Sequence, residues 1–313
     1  MSFDKDDERC HILSLDGGGA KGFYTLGVLK QVEALLGSRP LCEHFRLIFG
    51  TSTGGIIAAL LAGGHKVDEI RELYEKHVPD LMSKRWKSTR TAKLEALAKE
   101  VFQDRKFDSL KTGVGIVAAK WREETPMVFK TSVQQAHGQH STFVPGFGCT
   151  LAEAVVASAS AYPFFRRKVI RTANGHDFEL LDGGYCANNP TLYAIAEATK
   201  ALKAKPESLR VLSIGVGVYP EPKRYLHKWL VSRFFLVRLL QKTLDINTHS
   251  METLAGLLFK DVQLVRVNDS YTTPDMATDL MEHNRAKLRL LHKRGFEAFG
   301  KHESQIKKLF ELE

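Results

Sequence analysis

A chain of 313 residues, 43% hydrophobic and 26% charged, can bury a sizeable core in one large α/β domain or two smaller ones, and no low-complexity tract argues for disorder. Its formal charge of +9, from 45 Lys and Arg against 36 Asp and Glu, favours anionic partners such as phospholipid surfaces and nucleotides; with no base-reading or stacking motif, nucleic acid is set aside. No apolar run approaches the roughly 18 residues that span a bilayer, the charged N-terminus lacks a signal-peptide core, and Cys10, Cys42, Cys149 and Cys186 form no C-x-x-C pair, so a cytoplasmic protein with four free thiols is expected.

In chain order, His11 to Asp16 reads as a buried first strand running into the glycine loop Gly17-Gly18-Gly19-Ala20-Lys21-Gly22. A helix-length apolar pattern follows and ends at Gly37. Phe45 to Phe49 is a second strand, and the Ala/Leu/Ile-rich helix after it stops at Gly63-Gly64. Val67 to Val78 is an amphipathic helix closed by Pro79; the basic segment Lys84 to Lys93 leads into another over Leu94 to Phe102. Val114 to Trp121 and Met127 to Thr131 form two strands with a hairpin over Arg122–Pro126, and Leu151 to Ala161 is a small-residue helix. Phe178 to Asp182 is a strand ending in Gly183-Gly184, and Pro190 opens a helix at the N1 position that reaches Leu202. After a strand from Arg210 to Gly217 and a break at Tyr219-Pro220-Glu221-Pro222, the rest is helical except for a strand near Val262 to Val267. Strands alternating with helices, without repeat or linker, predict a mainly parallel central sheet between helices, in one domain.

Gly50-Thr51-Ser52-Thr53-Gly54 is G-x-S-x-G between that second strand and its helix, the arrangement of a nucleophile elbow. It would lift the Ser52 hydroxyl above the sheet beside the positive end of the helix. Gly17, Gly19 and Gly22 fit two arrangements. One is a dinucleotide-binding G-x-G-x-x-G, which also needs an acid at the end of the second strand, and Leu47-Ile48-Phe49-Gly50 supplies none. The other is an oxyanion hole, in which consecutive glycines aim backbone N–H groups at one point and Lys21 adds charge. No histidine stands at a strand end after Ser52 in the usual hydrolase order; His137 and His140 read as solvated loop residues. The strongest base candidate is Asp182, whose pKa would rise towards a useful range if shielded from water.

Asp16 to Gly22, Gly50 to Gly54 and Asp182-Gly183-Gly184 together resemble the patatin-like phospholipases in order and spacing, over about residues 10–220. The resemblance implies a modified α/β-hydrolase fold and a Ser–Asp dyad without histidine or metal. It makes Ser52 the nucleophile, Asp182 the general base and Gly17, Gly18 and Gly19 the oxyanion donors, with Lys21, Thr53 and Gly183 supporting. Lys21 stands where the family most often has arginine, which keeps the charge but loses bidentate geometry. The stretches Ser14 to Leu29, Ser160 to Phe165, Asp182 to Pro190 and Gly217 to Pro222, with the helical tail, look like the bacterial CapV type. That narrower resemblance spans nearly the whole chain, a catalytic core of about 10–220 and a helical extension of about 221–313 in a single domain. It implies a phospholipase effector of antiphage signalling that needs no cofactor for catalysis. A cyclic dinucleotide such as cyclic GMP–AMP would activate it to work at the inner membrane, with homo-oligomer formation left open. Acyl transfer or thioester hydrolysis on the same dyad is the rival within enzymes, and a nucleotide-sensing binding protein the rival outside them.

Tyr225 to Lys242 is strongly apolar with Lys228, Arg233, Arg238 and Lys242 and no acid, a composition suited to an anionic interface and to bordering an acyl-chain cleft. Arg166-Arg167-Lys168 and Lys223-Arg224 each combine cations with nearby aromatics, but neither identifies a nucleotide site.

Overall fold

The computed structural model describes residues 9–137, 141–222 and 231–312, the side chains of 231–237 excepted. In chain order the elements are β1 (Cys10–Leu15), α1 (Gly22–Leu35), β2 (Leu47–Thr51), α2 (Thr53–Ala62), α3 (Val67–Ser83), α4 (Lys87–Phe102), β3 (Gly113–Lys120), β4 (Pro126–Lys130) and α5 (Leu151–Ser158). They continue with β5 (Lys168–Arg171), β6 (Asp177–Asp182), α6 (Gly184–Ala187), α7 (Thr191–Lys200), β7 (Leu209–Ile214), α8 (Val231–Leu258), β8 (Gln263–Val267) and α9 (Arg285–Leu309).

The strands form one sheet in the order β5-β6-β3-β2-β1-β7-β8, with β4 hairpinned onto β3. From β3 through β8 the pairing is parallel; β4, β5 and β6 join antiparallel. The expected mainly parallel sheet between helices is therefore its centre, and the antiparallel strands extend one side. β1 and β2 are buried on both faces, which is why they read as continuous apolar runs. Leu13, Leu15 and Ile48 point into the larger core, while Ile12, Leu47 and Phe49 meet Ala194 and Ile195 of α7 on the opposite face. Near the C-terminus, β8 pairs with β7, and α9 lies on α1, where Gly27 and Gly295 let the two backbones meet.

Three boundaries depart from expectation. Pro79 does not close α3, which continues to Ser83. A proline leaves the carbonyl four residues earlier without its helical donor, and Arg285 Nη1 donates to that Glu75 carbonyl at 3.0 Å. Burial of Val78 and Leu81 holds the last turn in place. Pro190 occupies the N-cap of α7 rather than N1, and α4 begins at Lys87, so the basic segment is largely helix. The short edge strand β5 had no sequence signal of its own.

Candidate active site

β2 delivers the elbow. Ser52 sits at φ 54°, ψ −121° between β2 and α2, in a left-handed conformation that a serine adopts only under constraint. The constraint is packing: a Cβ on Gly54 would lie 2.3 Å from the Leu15 carbonyl of neighbouring β1, and one on Gly50 2.2 Å from the Gly54 carbonyl. Ser158, at the end of α5, clamps the turn by accepting from Ser52 N at 2.9 Å while its hydroxyl donates to the Val117 carbonyl at 2.5 Å.

β6 ends at Asp182 beside β3, with Ala118 opposite it, which carries the carboxyl across to the elbow. Asp182 is 2% exposed, accepts from Gly184 N at 2.7 Å and is hydrogen-bonded by the Ser52 side chain. Burial pushes its carboxyl up to about 6, with both hydrogen bonds pulling the other way. Gly183 lets this strand end close in: its N donates to the Ser158 carbonyl, and a Cβ there would lie 2.2 Å from the Val117 carbonyl.

The glycine loop arrives from β1, the neighbour of β2. Its three amides are not equivalent. Gly17 N, expected as an oxyanion donor, donates here to the Asn188 carbonyl at 3.0 Å. Gly18 and Gly19 line the same cleft as Ser52, and neither N–H has an acceptor among the described residues. Gly19 has φ 58° and stands where a Cβ would lie 2.5 Å from the Leu280 carbonyl. Thr53 also lines the cleft, its hydroxyl 2.9 Å from the Tyr74 hydroxyl of α3. Lys21 turns away: it is 4% exposed and lines a small polar cavity behind the loop with Asp16 and Asp245, so its charge is not in the cleft.

From Ser52 a cavity of about 130 Å³ runs between α3, α4 and α5, walled by side chains such as Leu73, Leu81, Leu94, Val155 and Phe165. Leu244 of α8 and Leu280 border it too, so α8 does reach the cleft. Two cations of that acid-free segment, Arg238 and Lys242, pair with Glu221, which precedes it, at 2.9 and 3.2 Å; Tyr225 to Leu230, Lys223-Arg224 and His140 lie outside the described residues. His137 is held by Glu197 at 2.8 Å and lies outside the cleft.

Several contributors were missed by sequence reasoning. Asn188 brackets Gly17, taking its N–H and returning Nδ2 to its carbonyl at 3.3 Å; it is tied to α8 through Asn247 (2.8 Å) and Thr248 (2.7 Å). Asp16 is pinned by Arg266 of β8 through bonds of 2.9 and 2.6 Å, 250 residues along the chain. His77 of α3 lines the cleft with its Nε2 buried and unpartnered. The only sequence trace of these was the polar run Asn188-Asn189-Pro190 after Gly183-Gly184.

A buried carboxylate bonded to a strained serine, beside unpaired glycine amides and an apolar tunnel, is equipped for acyl transfer from an ester with a long hydrocarbon chain. Comparison with known proteins agrees. A family model described as patatin-like phospholipase matches residues 13–195. The chain is 57% identical to a cUMP-AMP-activated phospholipase of Escherichia coli, across 96% of this chain and 94% of that protein. It is 31% identical to a cGAMP-activated phospholipase of Pseudomonas aeruginosa over 66% of this chain and 62% of that one. Among solved structures, VipD from Legionella pneumophila aligns with a TM-score of 0.47 at 11% identity, covering 94% of this chain and 67% of that one.

Proposed function

The chain belongs to the patatin-like phospholipases, and from that premise we propose that it hydrolyses membrane phospholipid esters with a Ser52–Asp182 dyad under the control of a cyclic dinucleotide, in antiphage defence. The hydrogen bond between Ser52 and a buried Asp182 carries the reading. Asp182 takes the Ser52 proton as Oγ attacks the ester carbonyl; the amides of Gly18 and Gly19 receive the oxyanion; the intermediate collapses to the acyl-enzyme as Asp182 passes that proton to the oxygen of the departing lysolipid. Asp182, again ionised, takes a proton from water as the water oxygen attacks the acyl carbonyl, and gives it to Ser52 Oγ as the C–Oγ bond breaks, which releases the fatty acid and restores the dyad. The apolar tunnel accepts the acyl chain.

Activation by a cyclic dinucleotide, with cyclic UMP–AMP the first to try and cyclic GMP–AMP the second, rests on the printed activities of the relatives at 57% and 31% identity. Peripheral contact with the inner membrane is supported by exposed aromatic side chains, two of them paired with cations. Trp86, Trp121, Tyr162 and Tyr185 are 61, 51, 45 and 38% exposed. Lys87 lies over Tyr162, Arg167 over Trp121, and the Tyr185 hydroxyl donates to the Tyr162 carbonyl. Such side chains favour the lipid–water boundary. No helix among the described residues is long and apolar enough to cross a membrane.

The test is fatty-acid release from phospholipid vesicles, with and without each nucleotide. Ser52→Ala and Asp182→Asn are each expected to lower turnover roughly 10³-fold or more while remaining folded. A folded Asp182→Asn protein working at near-native rate would overturn the dyad.

A further inference from the structure

The catalytic cleft is one end of the molecule; the other end holds a larger concavity. Where β1, β2 and β3 begin, a cavity of about 1320 Å³ opens between His11, Arg46 and Gly113, the C-terminal turn of α1 and Phe310 just beyond α9. It is roomier than the roughly 300–1,000 Å³ usual for small-molecule sites, and ten times the acyl tunnel.

Its charge is one-sided. Arg9, Arg39, Arg46 and Lys111 line it against a single carboxylate, Glu43. Arg9 is engaged by Glu311, and Arg39 approaches Glu43 only to 3.8 Å. The side chains of Arg46 and Lys111 have no ion pair or hydrogen bond among the described residues. His44 reaches the same wall with its Nε2 buried and unpartnered. Cations left without counter-ions in a concave, partly apolar site raise the local concentration of anions.

The remaining walls suit flat rings. His11 and Phe310 stack at 4.9 Å with their planes 3° apart, and Leu35, Leu36 and Leu47 continue the apolar surface. Base–aromatic stacking tolerates any nucleobase. We propose that this basin is the cyclic-dinucleotide site, its phosphates held by Arg46 and Lys111 with Arg39, its bases laid against Phe310 and the leucine wall. The assignment rests on the reading that a cyclic dinucleotide activates this chain. Two phosphates in one small ring match separated cations, and two bases match the room available.

Position fits an activator rather than a competitor. Arg46 directly precedes β2, and β2 leads into Ser52; His11 lies on β1, which leads to Asp16 and Gly17. Arg46 N donates to the His11 carbonyl at 2.9 Å, joining the two strands at the basin. Six residues of strand put it roughly 20 Å from the nucleophile. Nucleotide and lipid would occupy opposite ends of the same two strands, the basin open to solvent while the exposed aromatic side chains sit on the bilayer.

Calorimetric titration of the full chain with cyclic UMP–AMP, cyclic GMP–AMP and AMP tests this. The wild type is compared with Arg46→Glu, Lys111→Glu, and Lys260→Glu as a charge reversal elsewhere on the surface. Covalent labelling of Ser52 by a fluorophosphonate, in the absence of nucleotide, reports the fold. At least tenfold weaker cyclic-dinucleotide binding is expected in each basin variant, with labelling and Lys260→Glu unchanged. Equal binding by wild type and folded basin variants would overturn the basin and leave activation standing. AMP bound as tightly as the cyclic dinucleotides, with the same sensitivity, would make this a general phosphate site and overturn the assignment. No binding of either cyclic dinucleotide to folded wild type would remove the activation reading and the basin together. If Arg46→Glu fails to label, Lys111→Glu, with its charge on an exposed side chain, carries the comparison.

Discussion

A carboxylate with an ordinary pKa near 4 is a poor base for a serine, and the residue-scale question is what changes it. The Asp182 carboxyl is buried with hydrogen bonds from Ser52 and Gly184, and desolvation pushes it up to about 6. It must be ionised to accept a proton, so kcat/KM is expected to rise with pH through an acid limb centred near 6 and then level off; a pH–rate profile on vesicles checks this. Stability takes the opposite sign. The folded state holds this proton more tightly than the unfolded chain, so the Asp182 contribution falls as pH rises from the unfolded value of 3.8 to about 6 and is constant above. Asp182→Asn removes a buried charge and is expected to melt no earlier than wild type at neutral pH while losing turnover, a separation of stability from activity that calorimetry resolves. Both residues of the proposed dyad were legible in the sequence, since each lies at a strand end flanked by glycine. It did not carry the commitment of Gly17 N–H, because Asn188 lies 171 residues away.

Among elements, α8 has the most leverage on the site. Leu244 borders the cleft, while Asn247 and Thr248 hold Asn188, which brackets Gly17. Thr248→Val keeps the shape of the side chain but removes the shorter of the two acceptors of Asn188 Nδ2, leaving only the Gly17 carbonyl at 3.3 Å, a loss on the order of 1–3 kcal/mol. Turnover is expected to fall about tenfold with KM nearly unchanged if the glycine loop serves the transition state as proposed; Thr248→Ser, which retains the hydroxyl, should restore it. Unchanged turnover in Thr248→Val would separate α8 from the oxyanion loop. The helical period of this segment was legible, but not which residues face Asn188. In the same way, Pro79 reads as a stop until Arg285, 210 residues beyond Glu75, supplies the donor that the Glu75 carbonyl lacks.

At the scale of the whole molecule, the C-terminal region is built into the core. β8 extends the sheet past β7, Arg266 on it pins Asp16 at the head of the glycine loop, and α9 covers α1. Asp16 is 1% exposed, and leaving it without its cation would strand a buried charge. We propose on this ground that the described residues fold as a single domain, and a chain cut after Pro222 is expected to lose cooperative unfolding and Ser52 labelling together. A truncated protein that melts sharply and labels at Ser52 would make the first 220 residues an independent unit.

What the amino-acid sequence determined alone is local: a short apolar run into Gly-Thr-Ser-Thr-Gly followed by an Ala/Leu/Ile-rich stretch marks a strand, a tight turn and a helix, with the serine in the turn. The same local chemistry marked Asp182 at the end of its strand and the three glycines after β1. Tertiary structure decided everything that depends on which distant segments meet. It brought β6 beside β3 to set Asp182 against Ser52, spent one of the three glycine amides on Asn188, buried Lys21 away from the cleft, and gathered Arg39, Arg46 and Lys111 around one basin. Contacts between residues far apart in the chain leave no periodic trace in it, because their partners are selected by how the sheet and its helices pack.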